Sequence, residues 1–330
     1  NYQLELSATT VNFTINAVLA TTSDYKVTGN EGAWNAADLT ISPSGDYAQI
    51  STDGINWSNH ITLSTEGSES TVGFYLKKAD GTTTDKVNYT YKLDKTAPTG
   101  AISQGTNNWT KFLNTITFGL FFKETQSVTI SSDDTNGSGI ASTSYYVLEV
   151  DNNKEDIGTT LEQAKAYTYI TDTHFYLSPD KNVILFAKIV DNAGNVTYIN
   201  SQGIVLDEKA PVISGITDGE TYYTTRAVTI TDTNLDKVTV NNEAFTGNTI
   251  AGDVDKTYIV VATDKAGNSI TYTVTMKTIA SLSTTIDSLT TDNVKSIDKA
   301  TIEAVKTAVS SVELTNATLA EKDKLKAIAD

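Results

Sequence analysis

Val190-Asp191-Asn192-Ala193-Gly194-Asn195 decides the fold, because this stretch returns almost unchanged as Thr263-Asp264-Lys265-Ala266-Gly267-Asn268. In each copy one run of β-forming residues ends and another begins, which predicts the tip of a β-hairpin. The aspartate would open a type I turn, and the glycine after it would adopt the left-handed conformation. A repeated hairpin tip predicts a repeated domain.

A second repeat marks where the modules end. The sequence LDKTAP at 93–98 matches LDEKAP at 206–211, and each follows a turn glycine, Gly81 or Gly194, by the length of one further strand. We therefore predict that one module ends near residue 95 and the next near residue 208. A chain of 330 residues has room for several such units.

Alternation of apolar and polar residues predicts antiparallel strands with one buried face throughout residues 1–277. The predicted strands are 2–6, 11–18, 48–51, 60–63, 71–77 and 87–93, then 114–122, 126–131, 145–150, 183–190 and 196–205, then segments around 228–230, 238–240, 258–262 and 270–276. Trp57, just past the turn at Asp53-Gly54, should pack on a sheet face. The segment 161–166 predicts a single helical turn inside an insertion.

The pattern changes after Lys277. Apolar residues fall three and four positions apart, which predicts amphipathic helices. They lie at Leu282, Ile286 and Leu289, then at Ile302, Val305, Val309 and Val312, and finally at Leu325 and Ile328. Thr318 and Glu321 form a capping-box pattern at the start of the last helix. Residues 278–330 are therefore expected to form a three-helix segment.

Composition excludes several classes of function. The chain has 40 acidic and 24 basic residues, a net charge of −16, which argues against binding nucleic acid or anionic lipid. It has no cysteine, so it can have no disulfide, thiolate nucleophile or cysteine-ligated zinc. No apolar run reaches the roughly 18 residues that span a bilayer, and the first residues lack a signal-peptide pattern. We expect an internal piece of a longer exported protein.

Residues 1–277 resemble the tandem Ig-like modules of large exported bacterial proteins, mainly Gram-positive ones. The resemblance is carried by the two turns at 191–195 and 264–268, the tyrosine-rich junction at 89–98 and Ser138-Gly139-Ile140. The first module departs from it with Asp80-Gly81 in place of the longer turn. The resemblance implies a mainly β architecture, with Ig-like β-sandwiches at 1–95, 96–208 (with an insertion) and 209–277. It also implies an extracellular setting with a spacer or binding role, and it implies no catalytic residue. The tail is similar to short three-helix repeats near the anchored parts of such proteins.

One loop partly matches a calcium-binding pattern. Asp134, Asn136, Ser138 and Gly139 occupy positions 1, 3, 5 and 6 of an EF-hand loop, and Asp133 could add a ligand. Position 12 is Tyr145, where a bidentate acid is required, and the predicted flanks are strands. A solvated loop that caps its own backbone is the simpler interpretation. Calcium at Asp133, Asp134 and Asn136 is the one cofactor candidate, and no other cofactor is expected.

Aromatic residues are the candidate ligand-binding groups. Trp34, Trp109, Tyr146 and Tyr223 could offer flat faces to a sugar ring or to a protein partner. Adjacent tyrosines in a strand point to opposite faces, so one of each pair should be exposed. Packing in the core is the competing interpretation for each of these rings.

Catalysis has little support in the sequence. Only His60 and His174 could serve a nucleophilic triad, and no nucleophile elbow, phosphate loop or zinc-binding helix motif occurs. We predict a non-catalytic, monomeric stalk or adhesion region, secreted or associated with the cell wall. Its partner would be a protein or glycan of a host or neighbouring cell. The alternative is a carbohydrate-binding or spacer region of a large secreted glycoside hydrolase, and a lysine–asparagine isopeptide cross-link is a further hypothesis.

Overall fold

The computed structural model describes residues 18–151, 156–252 and 254–278. The predicted strand at 2–6, all but the last residue of the strand predicted at 11–18 and nearly all of the predicted three-helix segment lie outside these residues. The described chain is mainly β, and its small sheets resemble Ig-like sandwiches. Strand pairing among the described residues is confined to three groups, 25–93, 99–206 and 212–276, called module 1, module 2 and module 3 below.

Module 1 is a sandwich of a three-stranded and a four-stranded sheet. The strands are β1 Tyr25–Val27, β2 Trp34–Asn35, β3 Leu39–Pro43, β4 Tyr47–Ser51, β5 Ile61–Leu63, β6 Gly67–Lys78 and β7 Val87–Leu93, in the orders β1-β3-β5 and β2-β7-β6-β4. The core lies between the sheets, where Ile41 of β3 packs with Phe74 and Leu76 of β6. Trp57 is half-buried, and the Lys77 ammonium lies 5.0 Å from the centre of its ring.

Module 2 repeats this arrangement with longer strands. They are β8 Thr99–Gln104, β9 Asn107–Trp109, β10 Thr115–Phe122, β11 Gln126–Asp133, β12 Ile140–Glu149, β13 Asp156–Gly158, β14 His174–Leu177, β15 Lys181–Asp191, β16 Val196–Asn200 and β17 Gly203–Leu206. One sheet has the order β14-β11-β8-β9, and the other has the order β12-β15-β17-β10-β13, with β16 also paired to β15. The prediction of one strand over 196–205 was wrong. The chain pairs with β15 along β16, is interrupted at Ser201-Gln202 and resumes as β17, which pairs antiparallel with β15 on one side and parallel with β10 on the other.

The insertion of module 2 includes β13 and the helix that follows it. It packs on the outer face of the larger sheet and forms a second core there. Its helix α1 Leu161–Ala166 was predicted as a single turn, and it begins with a capping box between Thr160 and Gln163. Strand β15 is buried on both faces as a result. Leu185 and Ala187 face the sandwich, while Ile184 and Phe186 pack under the insertion.

Module 3 is the smallest unit. Its strands are β18 Val212–Ser214, β19 Thr221–Tyr222, β20 Arg226–Ala227, β21 Thr229–Thr231, β22 Leu235–Val240, β23 Glu243–Ala244, β24 Thr249–Ile250, β25 Lys256–Asp264 and β26 Ser269–Met276. The main sheet has the order β19-β26-β25-β22-β23, and the pairs β18-β21 and β20-β24 accompany it. Val260 and Val274 of the main sheet pack against Ile213 and Val228 in the core.

Candidate metal centres at the module junctions

The repeated turns have the predicted geometry. Asp191 Oδ1 accepts hydrogen bonds from the Gly194 and Asn195 amides at 2.7 and 2.8 Å, and Gly194 has a φ of +96°. Asp264 likewise accepts from the Asn268 amide at 2.8 Å. Each aspartate also accepts from the side-chain amide of the same asparagine at 2.8 Å. The motif therefore shapes the turn, as its sequence predicts.

The asparagine of each turn also reaches the preceding module. Asn195 Nδ2 donates to the Asp94 carbonyl at 2.9 Å, and Asn268 Nδ2 donates to the Asp207 carbonyl at 2.7 Å. Asp94 and Asp207 are the residues that follow the last strands of modules 1 and 2. The hairpin tip of one module thus holds the end of the module before it. No local sequence pattern predicts this contact.

The side chains of these two end residues are held by the following module as well. Asp94 Oδ2 accepts from the Ser138 amide of module 2 at 2.6 Å, and Asp207 Oδ2 accepts from Asn234 Nδ2 of module 3 at 2.7 Å. Asp94 is only 2 % exposed, and Asp207 is half-buried. Short connections and these reciprocal hydrogen bonds restrict how far one module can rotate on the next.

A third carboxylate completes each group. In the β11–β12 loop of module 2, Asp134 Oδ2 accepts from the Gly139 amide at 2.7 Å, and in the β21–β22 loop of module 3, Asp232 Oδ1 accepts from the Asn234 amide at 2.6 Å. Asp94, Asp134 and Asp191 form the first triad, and Asp207, Asp232 and Asp264 form the second. In each triad, one oxygen per residue lies within 4.8 Å of the others.

Three carboxylates so close together repel one another unless a cation or a proton neutralises them. Burial raises the pKa of Asp232, and the charges of Asp207 and Asp264 raise it further. The ion pairs within the described segments join lysines to other acids and include none of the six triad residues. The triads thus carry concentrated negative charge at the two places where modules meet.

The donor set fits a hard divalent cation. Calcium takes carboxylate oxygens at about 2.4 Å, so two ligand oxygens on one ion can be up to about 4.8 Å apart. Carboxylates favour calcium or magnesium over zinc, which prefers imidazole and thiolate. A cavity of about 220 Å³ adjoins the first triad and has Glu66 and Asp133 in its wall, so there is room for further oxygen ligands or water.

The structure brings only one of the three predicted metal residues into a triad. Asp134 is a member. Asp133 is exposed and accepts from the Thr135 hydroxyl, and Asn136 is exposed on the same loop, although both residues line the neighbouring cavity. The other two members, Asp94 and Asp191, lie far away in the sequence. The signal that could have found them was the aspartate shared by the LDKTAP and LDEKAP repeats and by both turns.

The four predicted ligand-binding aromatics are spread over all three modules and are half-buried: Trp34, Trp109, Tyr146 and Tyr223. Trp109 packs against the main core of module 2. Tyr146 stacks on Tyr167 with ring centres 4.3 Å apart, under the insertion. Its neighbour Tyr145 stacks on Phe175, so both members of this pair are partly covered, because the insertion packs on the face that would otherwise be solvated. Burial raises the pKa of Tyr223, with a smaller contribution from Asp255.

Trp109→Ala is expected to destabilise module 2 by about 2–3 kcal/mol, somewhat less than for a fully buried tryptophan. The reason is the lost packing against the core. Thermal unfolding of the variant, followed by far-UV circular dichroism, would measure the loss. A variant that keeps wild-type stability but loses binding to a glycan array would instead identify Trp109 as a ligand-binding residue.

The described segments contain no helix that could span a bilayer. His60 and His174 are both exposed, and their ring nitrogens lie within hydrogen-bonding distance of Asn59 and Thr129.

Comparison with known proteins yields distant structural matches alone. No family model and no curated protein sequence matches the chain. Chicken CNTN1 FN1–FN3 domains match at 10 % identity and a TM-score of 0.24, over 77 % of this chain and 98 % of theirs. A 1.5-MDa bacterial ice-binding adhesin matches at 15 % identity and a TM-score of 0.26, over 74 % of this chain and 90 % of that one. The surface glycan-binding protein SGBP-B of Bacteroides ovatus, solved with a mixed-linkage heptasaccharide, matches at 13 % identity and a TM-score of 0.17, over 78 % and 72 %. The chain is thus similar to tandem Ig-like and FN-domain proteins, and its Ig-like architecture is assigned from its own strand topology.

Proposed function

We propose that this chain is a non-catalytic extracellular stalk whose Ig-like modules are held in a fixed relative orientation by calcium at the two junction triads. The observation that carries the proposal is the triad itself. At both junctions the aspartate that ends one module meets two aspartates of the next, from the same two loops each time. A cation bound there would contact both modules at once.

Calcium binding would account for the placing of these acids where they repel one another. Without a cation, each triad opposes the close approach of two modules; with one, the same carboxylates hold the modules together. Extracellular modules commonly bind calcium with dissociation constants on the order of 0.1–1 mM, which suits calcium outside cells. The net negative charge agrees with a solvated protein.

Such a stalk would project a binding surface away from a cell or from a larger secreted assembly. We propose a protein or glycan of a host or neighbouring cell as the partner. The chain itself would act as a monomer. The alternative role as a carbohydrate-binding part of a glycoside hydrolase receives no added support from the structure, because the candidate aromatic rings are half-buried and lie apart from one another.

The test is calcium binding by the full chain, measured by isothermal titration calorimetry. The wild type should bind two ions with millimolar or tighter affinity. Asp191→Asn and Asp264→Asn should each remove one ion, because each keeps the shape of the turn but removes one ligand charge. Asp80→Asn is the matched control, since Asp80 caps the corresponding turn of module 1 through the Thr82 amide and lies outside both triads. Absence of calcium binding by the wild type would refute the proposal.

Gly137→Ala should weaken calcium binding at the first junction alone, by about tenfold or more. A Cβ at this position would lie 2.5 Å from Asp134 Oδ1 and 2.6 Å from Asp94 Oδ2, so the two carboxylates must move apart. Gly119→Ala is the control, because a Cβ there has no other atom within 4 Å. The same titration measures both variants, and an unchanged affinity in Gly137→Ala would contradict the assigned position of the first site.

A further inference from the structure

The end of module 3 departs from the ends of modules 1 and 2. In each module the residue after the last strand donates its backbone amide to a strand that runs parallel: Asp94 to the Asn35 carbonyl, Asp207 to the Phe122 carbonyl and Lys277 to the Tyr222 carbonyl, each at 2.9 Å. These three residues are therefore structurally equivalent. Lys277 stands where the other two modules supply a triad carboxylate.

Module 1 also has a lysine at a triad position, here the position of the turn aspartate. The strand register shows that the turn aspartates of modules 2 and 3 are structurally equivalent. Asp191 pairs with Ile140 and Asp264 pairs with Leu235, each next to a β-bulge. In module 1, Tyr47 and Lys78 form the equivalent pair next to the same kind of bulge. Lys78 therefore occupies the position of the turn aspartate.

Each of these lysines is paired with an acid of its own module. Lys78 Nζ lies 3.4 Å from Asp46 Oδ2, and Lys277 Nζ lies 3.8 Å from Asp255 Oδ1. The Lys78 charge also reaches Asp24 and Asp80, whose pKa values are lowered mainly by hydrogen bonds from Thr21 and Thr82 and to a smaller extent by this lysine. An ammonium group thus stands at each outer end in the position where each inner junction has a triad carboxylate.

We infer that Lys78 and Lys277 close the series of cation sites, so that modules 1–3 form one unit with two internal calcium sites and outer ends that bind none. The inference rests on the proposed function. A fixed ammonium at a ligand position both removes a carboxylate and repels a divalent cation. Calcium would therefore stiffen the two inner junctions without clamping a neighbour at either outer end.

The experiment counts the calcium ions that the full chain binds, again by titration calorimetry. The wild type should bind two, and the Asp191→Asn/Asp264→Asn double variant should bind none. Lys78→Asp should bind a third calcium ion with lower affinity, because the substitution removes the ammonium group near Asp24, Asp46 and Asp80 and adds a carboxylate. Lys78→Met is the control; it removes the charge without adding a ligand and should leave the count at two.

The outcomes separate the two proposals. A wild type that binds no calcium overturns both. A wild type whose two ions disappear in the double variant, but whose Lys78→Asp form still binds only two, overturns the inference about the outer ends and leaves the stalk proposal standing. A third ion already present in the wild type and lost in Asp46→Asn would also overturn the inference.

Discussion

Asp191→Ala is expected to lower the free energy of unfolding of module 2 by about 3 kcal/mol in the absence of calcium. Asp191 is 1 % exposed and accepts hydrogen bonds from Gly194, from the Asn195 amide and from the Asn195 side chain. Alanine would leave these donors without their partner in a buried turn. With calcium at about 100 times its dissociation constant, the variant should lose about a further 2.7 kcal/mol of stabilisation that the wild type gains from the ion.

Asp191→Asn separates the two roles of this residue. Asparagine can still accept from the turn amides, so in a chelator it should be less destabilising than alanine, but it should lose the same calcium-dependent stabilisation. Denaturant unfolding followed by the fluorescence of Trp109, the single tryptophan of module 2, would measure both quantities. Equal stability of the Asn variant and the wild type in saturating calcium would contradict the ligand role of Asp191.

Phe186→Ala should lower the free energy of unfolding by about 3–5 kcal/mol, the largest effect expected for a single side chain of the second core. Phe186 is 1 % exposed, and its ring centre lies 5.1 Å from that of Tyr167 and 6.4 Å from that of Phe112. Its loss would leave a cavity under the insertion. Amide hydrogen exchange in helix α1 should therefore speed up even under conditions where the main sandwich stays folded.

Tyr176→Ala is the matched control on the same module, since Tyr176 is 66 % exposed and its removal should change stability by about 0.5 kcal/mol or less. If Phe186→Ala lowered the free energy of unfolding by less than about 1 kcal/mol and left hydrogen exchange in α1 unchanged, the insertion would be held by other contacts.

Local sequence patterns predicted the elements whose structure depends on near neighbours. The Asp-x-Ala-Gly-Asn turns formed because aspartate and glycine set the backbone within five residues, and α1 formed where its capping box lies. The strand prediction at 196–205 missed the break at Ser201-Gln202, because both halves pair with β15 and only the second half also takes β10 as a neighbour. Such a choice is tertiary and has no local pattern.

The candidate site was predicted only in part for a similar reason. Asp134 was found through the spacing of its own loop, but its partners Asp94 and Asp191 come from another module and from a distant hairpin. The repeats at 93–98 and 206–211 marked the ends of modules, and only the structure shows that their aspartates meet the turns. The exposure expected for one tyrosine of the pair Tyr145-Tyr146 failed because an insertion from the same module covers the outer face.

Whether calcium fixes how one module sits on the next can be measured directly, because the chain contains no cysteine that would interfere with labelling. Cysteines introduced at the exposed residues Thr62 of module 1 and Ser127 of module 2 can carry spin labels across the first junction. Pulsed electron paramagnetic resonance should then give one narrow distance distribution in calcium and a distinctly broader one after chelation. The same distance distribution in both conditions would show that calcium does not set the orientation of the two modules.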